Sequence, residues 1–124
     1  MPEQRDPFMW DVEDQVRAAA DFELVTEPWT GRDQVLYLDE ISVSNATTAG
    51  GDVEVGLLYG GKHFELDTVY ALALGGWEYA HGKITILSKW QVYARFLYAQ
   101  GELAVGDRVG LHIVGYVLEP YSSP

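Results

Sequence analysis

Histidines and serines have the clearest chemical potential in this sequence, and their spacing is a first test for an enzyme. His63, His81 and His112 stand alone, with no H-x-x-x-H pair that could hold a metal on one helix face. No serine lies in a G-x-S-x-G elbow, and the glycine pairs match turns rather than phosphate-binding loops. Calcium-loop spacing of acids does not occur, and cysteine is absent. The sequence therefore predicts no enzyme, no catalytic residue, no metal and no cofactor.

The aromatic residues give the one positive indication of ligand binding. Trp77, Tyr79 and Trp90 could form a platform on which sugar rings stack. The alternative is that these rings fill a core or an interface, where each indole N–H finds a carbonyl oxygen. Arg95, two residues after Tyr93, is expected to stack or pair inside an interface rather than act on a substrate.

The charge of the chain limits its partners. The 124 residues carry a net charge of −11, with 13 acids and 3 bases in residues 1–60 but 6 acids and 5 bases in residues 61–124. No two Lys or Arg residues are adjacent, so nucleic acid is not an expected partner. No apolar run is long enough to span a membrane. The acidity either keeps the chain soluble or forms a face for a basic protein partner.

Residues 1–21 are expected to form an N-terminal arm, helical or extended. Asp6-Pro7 is typical of a helix start, and Phe8, Val12 and Val16 recur at helical spacing. A helix this short needs a surface to pack on, which is either its own domain or another chain. The side chains predicted to dock the arm are Phe8, Trp10, Val12 and Val16.

The remainder of the chain has the texture of short strands separated by glycine-rich turns. We predict an all-β domain over residues 22–120, followed by a tail at 121–124. The expected fold is an antiparallel, jelly-roll-like β-sandwich of about seven to eight strands. The predicted strands lie near 22–27, 34–44, 52–59, 62–72, 77–87, 90–98 and 108–118.

One hairpin has a strong local signal. Gly60-Gly61 supplies the positive φ angles that a two-residue turn requires between the flanking strands. Strict alternation then separates two faces, with the acids Glu54, Glu65 and Asp67 opposite the apolar row. That apolar row is predicted to contain Val53, Val55, Leu57, Tyr59, Phe64, Leu66, Thr68 and Tyr70.

The segments 92–98 and 113–118 are apolar on both faces. In an isolated sandwich one face of a strand meets water, so these residues need a cover. The cover is either another part of the same chain or a neighbouring subunit. Under the second alternative the oligomer interface contains Tyr93, Arg95, Leu97, Val114, Tyr116 and Leu118.

Several strand and turn segments follow each other in an order found in a known group of proteins. These segments are 41–45, 53–57 with the Gly60-Gly61 turn, 90–96, 106–109 and Gly115-Tyr116. Through them, residues 33–119 resemble small β-sandwich virion proteins of tailed bacteriophages. The resemblance implies a jelly-roll-like module attached to a phage head or tail, often in symmetric copies, and brings no catalytic residue.

The resulting functional hypothesis is a structural protein of the virion, made in the host cytoplasm. Its role would be capsid decoration, cementing the particle by forming a homo-oligomer such as a trimer on the major capsid protein or another virion protein. The N-terminal arm would dock on the particle through Phe8, Trp10, Val12 and Val16. The alternative hypothesis is a glycan-binding module of a tail or cell-surface assembly.

Overall fold

The computed structural model describes residues 4–30, 34–98 and 103–119. Within these residues the chain is all-β, as predicted, and none of them forms a helix long and apolar enough to cross a membrane. The predicted tail at 121–124 lies outside the described residues. The strands are β1 Gln4–Gln15, β2 Phe22–Val25, β3 Val35–Asn45, β4 Val53–Tyr59, β5 Lys62–Val69, β6 Glu78–His81, β7 Ile84–Ile86, β8 Gln91–Phe96 and β9 Arg108–Glu119.

The strands form two antiparallel sheets that pack as a sandwich. Sheet A has the order β1-β9-β3-β6, with β7 also paired to β3, and sheet B has the order β2-β8-β4-β5. The described part of the chain has nine strands, where about seven to eight were expected. One predicted strand, 77–87, is divided into β6 and β7 because Lys83 takes a positive φ of 54° in the turn between them.

Of the two alternatives for the N-terminal arm, the helix is wrong, because residues 4–15 form strand β1. β1 pairs with β9 along its whole length, from Gln4 opposite Glu119 to Gln15 opposite Arg108. Pro7 is compatible with this strand because β1 lies at the edge of sheet A, where a missing N–H leaves no partner unpaired. The N-terminal arm is therefore extended, and it is a strand of the sandwich.

The hairpin at Gly60-Gly61 is confirmed. The two glycines have φ angles of 59° and 79°, and Tyr59 pairs with Lys62 across the turn. The predicted face assignment is correct for Leu66, which packs against the core, but wrong for Thr68 and Tyr70, because a bulge shifts the register between Val55 and Gly56. Val53 is consequently opposite Val69, and the row predicted through Thr68 and Tyr70 is not formed.

The inner faces of the two sheets form one apolar core. β1 contributes its alternate side chains, since Phe8, Trp10 and Val12 pack against this core and Val16, just after the strand, is buried. Phe8 also contacts the Trp29 ring edge-on, with the ring centres 5.6 Å apart. The four side chains predicted to dock the arm on the particle therefore pack against their own domain instead. Removing residues 1–20 would expose the core rather than detach an independent segment.

Two neighbouring residues of β1 test this packing. We expect Trp10→Ala to lower the free energy of unfolding by about 2 kcal/mol, because the half-buried indole leaves a cavity behind. Met9→Ala should change it by less than about 0.5 kcal/mol, because Met9 is 67% exposed on the other face. Urea denaturation measures both values. Equal effects of the two substitutions would contradict the strand assignment.

Candidate functional site

The solvent-facing surface of sheet A, named here the outer A face, brings together residues from four strands. The register places Asp11, His112, Ser42 and Tyr79 in one row across β1, β9, β3 and β6. Asp11 Oδ1 is bonded to His112 Nδ1, which fixes the imidazole in the row. Ser42 is buried beneath this surface and donates its hydroxyl hydrogen to Glu40 at 2.9 Å. The row is polar in the middle and aromatic at its β6 end.

Trp77 lies on the same face, just before β6. The ring centres of Trp77 and His112 are 5.3 Å apart. A Cβ added at Gly110 would lie 2.6 Å from the Trp77 indole. The missing side chain at Gly110 therefore leaves the space that the Trp77 ring occupies. Trp77 is 45% exposed and Tyr79 is 60% exposed, so both rings also face solvent.

A cleft of about 500 Å³ lies next to Trp77 on the outer A face. Gly110 is paired between Glu13 on β1 and Ser44 on β3, and both of these line the cleft. The lining residues are Glu13, Asp14, Gln15, Ser44, Ala46, Arg108 and Val109. Carboxylates, an amide, a hydroxyl and a guanidinium together can accept and donate hydrogen bonds to a ligand rich in hydroxyl groups.

Asp14 has an altered acidity at the rim of this cleft. Its carboxylate accepts a hydrogen bond from the Gln15 backbone N–H at 2.8 Å, and a second from Arg17. These two hydrogen bonds to the charged form lower the pKa of Asp14 below its usual value. Asp14 is therefore a fixed negative charge at neutral pH, rather than a proton donor.

Trp90 does not join Trp77 and Tyr79. It lies just before β8, where its ring stacks on Tyr59 at 4.7 Å between centres and contacts Phe64 at 5.6 Å. Trp90 also packs against the apolar core. Of the three residues predicted as a glycan platform, the structure brings two together.

An apolar strip occupies the other end of the outer A face. Val114 and Met9 are paired across β9 and β1, and Tyr116 stacks on Tyr37 with ring centres 5.4 Å apart. Met9 is exposed, whereas the other members are half-buried within a single chain. The apolar strip is Met9, Tyr37, Val114, Tyr116 and Leu118.

The solvent-facing side of sheet B, the outer B face, is closed by the chain itself. Tyr93 is 0% exposed although it points away from the core. The Tyr93 ring lies over Gly56, and a Cβ added at Gly56 would come within 2.9 Å of this ring. The His63 and Tyr93 rings meet edge to face, with their centres 4.6 Å apart. The Tyr93 hydroxyl donates to Glu54 Oε2 at 2.6 Å. Tyr93 therefore needs no neighbouring subunit to cover it.

Arg95 completes this cover by stacking and pairing with groups of its own chain, whereas the sequence predicted these contacts inside an interface. Its guanidinium lies 5.6 Å from the centre of the Tyr93 ring and forms ion pairs with Glu23 at 3.4 Å and Glu54 at 3.5 Å. His63 Nε2 lies 2.5 Å from the same Glu23 carboxylate. The network joins four strands of sheet B, and its charged side chains stay partly accessible to water while Tyr93 is buried beneath them.

The residues predicted as one oligomer interface thus lie in three places. Tyr93 and Arg95 are on the outer B face, and Val114, Tyr116 and Leu118 are on the outer A face, on the opposite side of the sandwich. Leu97 follows β8 and donates its backbone N–H to the Asp52 carbonyl at 3.0 Å. A single flat contact with another copy cannot include all six.

Sequence reasoning did not find the cleft, the Asp11–His112 bond or the contact between Trp77 and Gly110. Each depends on pairing between distant strands, and no local motif marks it. Within the described ranges, no group of three or more histidine, aspartate or glutamate side chains is arranged to hold a metal ion.

Profiles of known protein families and the sequences of functionally described proteins give no match to this chain. Its function is therefore inferred from the chemistry of its surfaces.

The Tyr93 hydroxyl gives a prediction for alkaline pH. Burial raises the pKa of Tyr93 above its ordinary value of 10.0, and the hydrogen bond to Glu54 raises it further. The unfolded chain ionises this phenol near pH 10 while the folded chain keeps it neutral, so the free energy of unfolding should fall as the pH rises above 10. Tyr93→Phe should show a shallower decline in urea denaturation across that range.

At neutral pH the same substitution should cost about 1 to 2 kcal/mol, because it leaves the Glu54 carboxylate without its buried donor. Tyr70→Phe is the matched control, since Tyr70 is 74% exposed and its loss should affect neither measurement. Identical pH profiles of the wild type and Tyr93→Phe would argue against this assignment.

Proposed function

We propose that this protein is a binding subunit of a bacteriophage virion, a decoration or auxiliary protein that acts through contact and performs no catalysis. The observation that carries the proposal is the apolar strip on the outer A face. Apolar side chains that one copy leaves partly exposed on a flat sheet are typical of a protein contact surface. The outer B face, in contrast, satisfies its own groups through the Tyr93 and Arg95 network.

The strand order supports the jelly-roll type within the broader sandwich class. The first strand pairs with the last, and β2 pairs with β8, the next to last. This nested pairing of the two ends of a chain is what two interlocked Greek keys produce. It agrees with the resemblance to small virion β-sandwiches, in which the module is attached to a head or tail.

On this proposal, the partners are further copies of the chain, in a cyclic homo-oligomer such as a trimer, and a major capsid or other virion protein. The apolar strip would be buried in one of these contacts. A cyclic arrangement repeats the same contact around an axis, so many modest contacts hold each copy on the particle.

Copurification tests the virion role, and substitution in the apolar strip tests the contact surface. The chain should copurify with gradient-purified particles of a phage that encodes it, as detected by immunogold electron microscopy and mass spectrometry. Val114→Glu should weaken particle binding by about tenfold or more, because it buries a carboxylate in an apolar contact. Leu87→Glu is the control, since Leu87 is 54% exposed outside the strip and should bind normally.

Sedimentation of the isolated protein gives the oligomer number. Absence of the chain from purified particles would refute the virion role. Unchanged binding of a folded Val114→Glu variant would refute the role of the strip.

Glycan binding is the second candidate function, and one observation favours it. Trp77 exposes its ring near the cleft lined by Glu13, Ser44 and Arg108, and Tyr79 exposes its ring on the same face. Aromatic faces bind the C–H side of sugar rings, and polar groups beside them bind the hydroxyls. Trp90 has no part in this site.

A glycan array with paired variants tests this candidate. We expect Trp77→Ala to lose any glycan binding by about tenfold or more, because the stacking surface is removed. Trp90→Phe should retain it, since Trp90 lies apart from the cleft. Binding that survives Trp77→Ala, or no binding to any glycan on the array by the wild type, would exclude a glycan site at this cleft.

A further inference from the structure

Among the described residues, no strand pairs with the outer edge of β1, which carries a long row of backbone N–H and C=O groups. In an antiparallel pair, alternate residues of the edge strand point their N–H and C=O groups at the partner strand, and the others point them outward. Val16 continues the β1–β9 ladder, with its N–H donating to the Asp107 carbonyl at 2.9 Å. Counting back from Val16, the even-numbered residues of β1 bond to β9. The odd-numbered residues therefore point their backbone groups away from the sheet.

The identity of the odd-numbered residues agrees with this assignment. Pro7, which has no N–H, is at an outward position. The N–H of Gln15, also outward, is bonded to the side chain of Asp14 at 2.8 Å instead of to a strand. Between them, the N–H groups of Met9, Asp11 and Glu13 have no bonding partner among the described residues.

The other sheet edges in the described structure are less suited to accept a strand. β2, β6 and β7 have only four, four and three residues, and β5 pairs across a bulge that disturbs its edge. β1 has twelve residues and pairs with β9 without any shift in register. Among the described edge strands, β1 is therefore the one best suited to pair with an added strand.

The charge of β1 selects what can pair with it. Residues 6–15 contain four acids and no Lys or Arg. Asp11 and Glu13 lie on the outer A face, where an added strand would place its own side chains beside them. A second copy of β1 would bring like charges together, which disfavours self-pairing at neutral pH.

We propose that β1 accepts, as an added antiparallel strand, an extended segment of a partner protein with Lys or Arg at alternate positions. The backbone groups of residues 7–13 would bind the segment, and Asp11 and Glu13 would pair with its basic side chains. The inference does not depend on the virion role, since it concerns any basic partner segment. It also differs from the contact at the apolar strip, because it is made at the sheet edge.

The test uses the full chain and a synthetic peptide of alternating lysine and valine. Binding is measured by fluorescence anisotropy at low and at physiological salt, and the site is located by amide hydrogen exchange. We expect protection of the Met9, Asp11 and Glu13 amides. The same peptide, N-methylated at alternate residues to remove its N–H donors along one edge, keeps its charge and should bind about tenfold or more weakly.

A pair of variants tests the same edge from the protein side. Met9→Pro removes an outward N–H while leaving the β1–β9 hydrogen bonds in place, and it should weaken peptide binding by about tenfold. Met9→Ala removes the same side chain and keeps the N–H, so the difference in binding between Met9→Pro and Met9→Ala reports the loss of the N–H alone. If Met9→Pro does not fold, the comparison of the two peptides on the wild type decides.

Equal binding of the N-methylated peptide would overturn the proposal, because attraction of opposite charges alone would then explain the affinity. If the unmodified peptide does not bind, the proposal is also overturned. The acids and Pro7 of β1 would then serve to prevent edge-to-edge aggregation. Protection of the same amides by concentration-dependent dimerisation would identify a second copy as the occupant, and the proposal would be wrong.

Discussion

The position of β9 between β1 and β3 is the constraint on which the rest of the structure depends. Every cross-strand row on the outer A face has a β9 residue at its centre, including His112 in the polar row and Gly110 beside the cleft. Two glycines of β9 make this packing possible. A Cβ on Gly115 would lie 1.9 Å from the Tyr37 carbonyl oxygen, and one on Gly110 would displace the Trp77 ring. The cleft, the apolar strip and the β1 edge are all consequences of this one central strand.

The two outer faces of the sandwich differ in how far the chain satisfies its own groups. On sheet B the buried Tyr93 ring has a bonded hydroxyl, and Arg95 is shared between two carboxylates. Partly exposed ion pairs of this kind contribute little to stability individually, but here they cover an aromatic ring that would otherwise meet water. On sheet A, the apolar strip consists of half-buried side chains and the exposed Met9, with Tyr37 stacked on Tyr116. The binding proposals therefore concern sheet A.

Local sequence signals predicted the strands and the Gly60-Gly61 hairpin, because turn glycines and alternation act over a few residues. The sequence does not decide between a helix and a strand for the N-terminal arm, because its apolar residues fit two periods. Phe8, Val12 and Val16 are four apart, whereas Phe8, Trp10 and Val12 alternate, and pairing with the distant β9 decides between them. Surfaces were harder to predict than strands. The cover over Tyr93 comes from residues on separate strands, so the sequence could indicate that a cover was needed but not that the same chain supplies it.

The pairing of the first strand with the last also has a consequence for biosynthesis. During translation β1 leaves the ribosome before its partner β9, which ends at Glu119. The β1–β9 pairing of sheet A therefore cannot form until nearly all of the described chain has been made. Contacts between such distant segments form slowly, and unpaired apolar strands are prone to aggregate meanwhile. The concentration of acids in the first half of the chain gives the nascent segment a repulsive charge during this interval. The acids of β1, which we propose select a basic partner segment, belong to this charged first half of the chain.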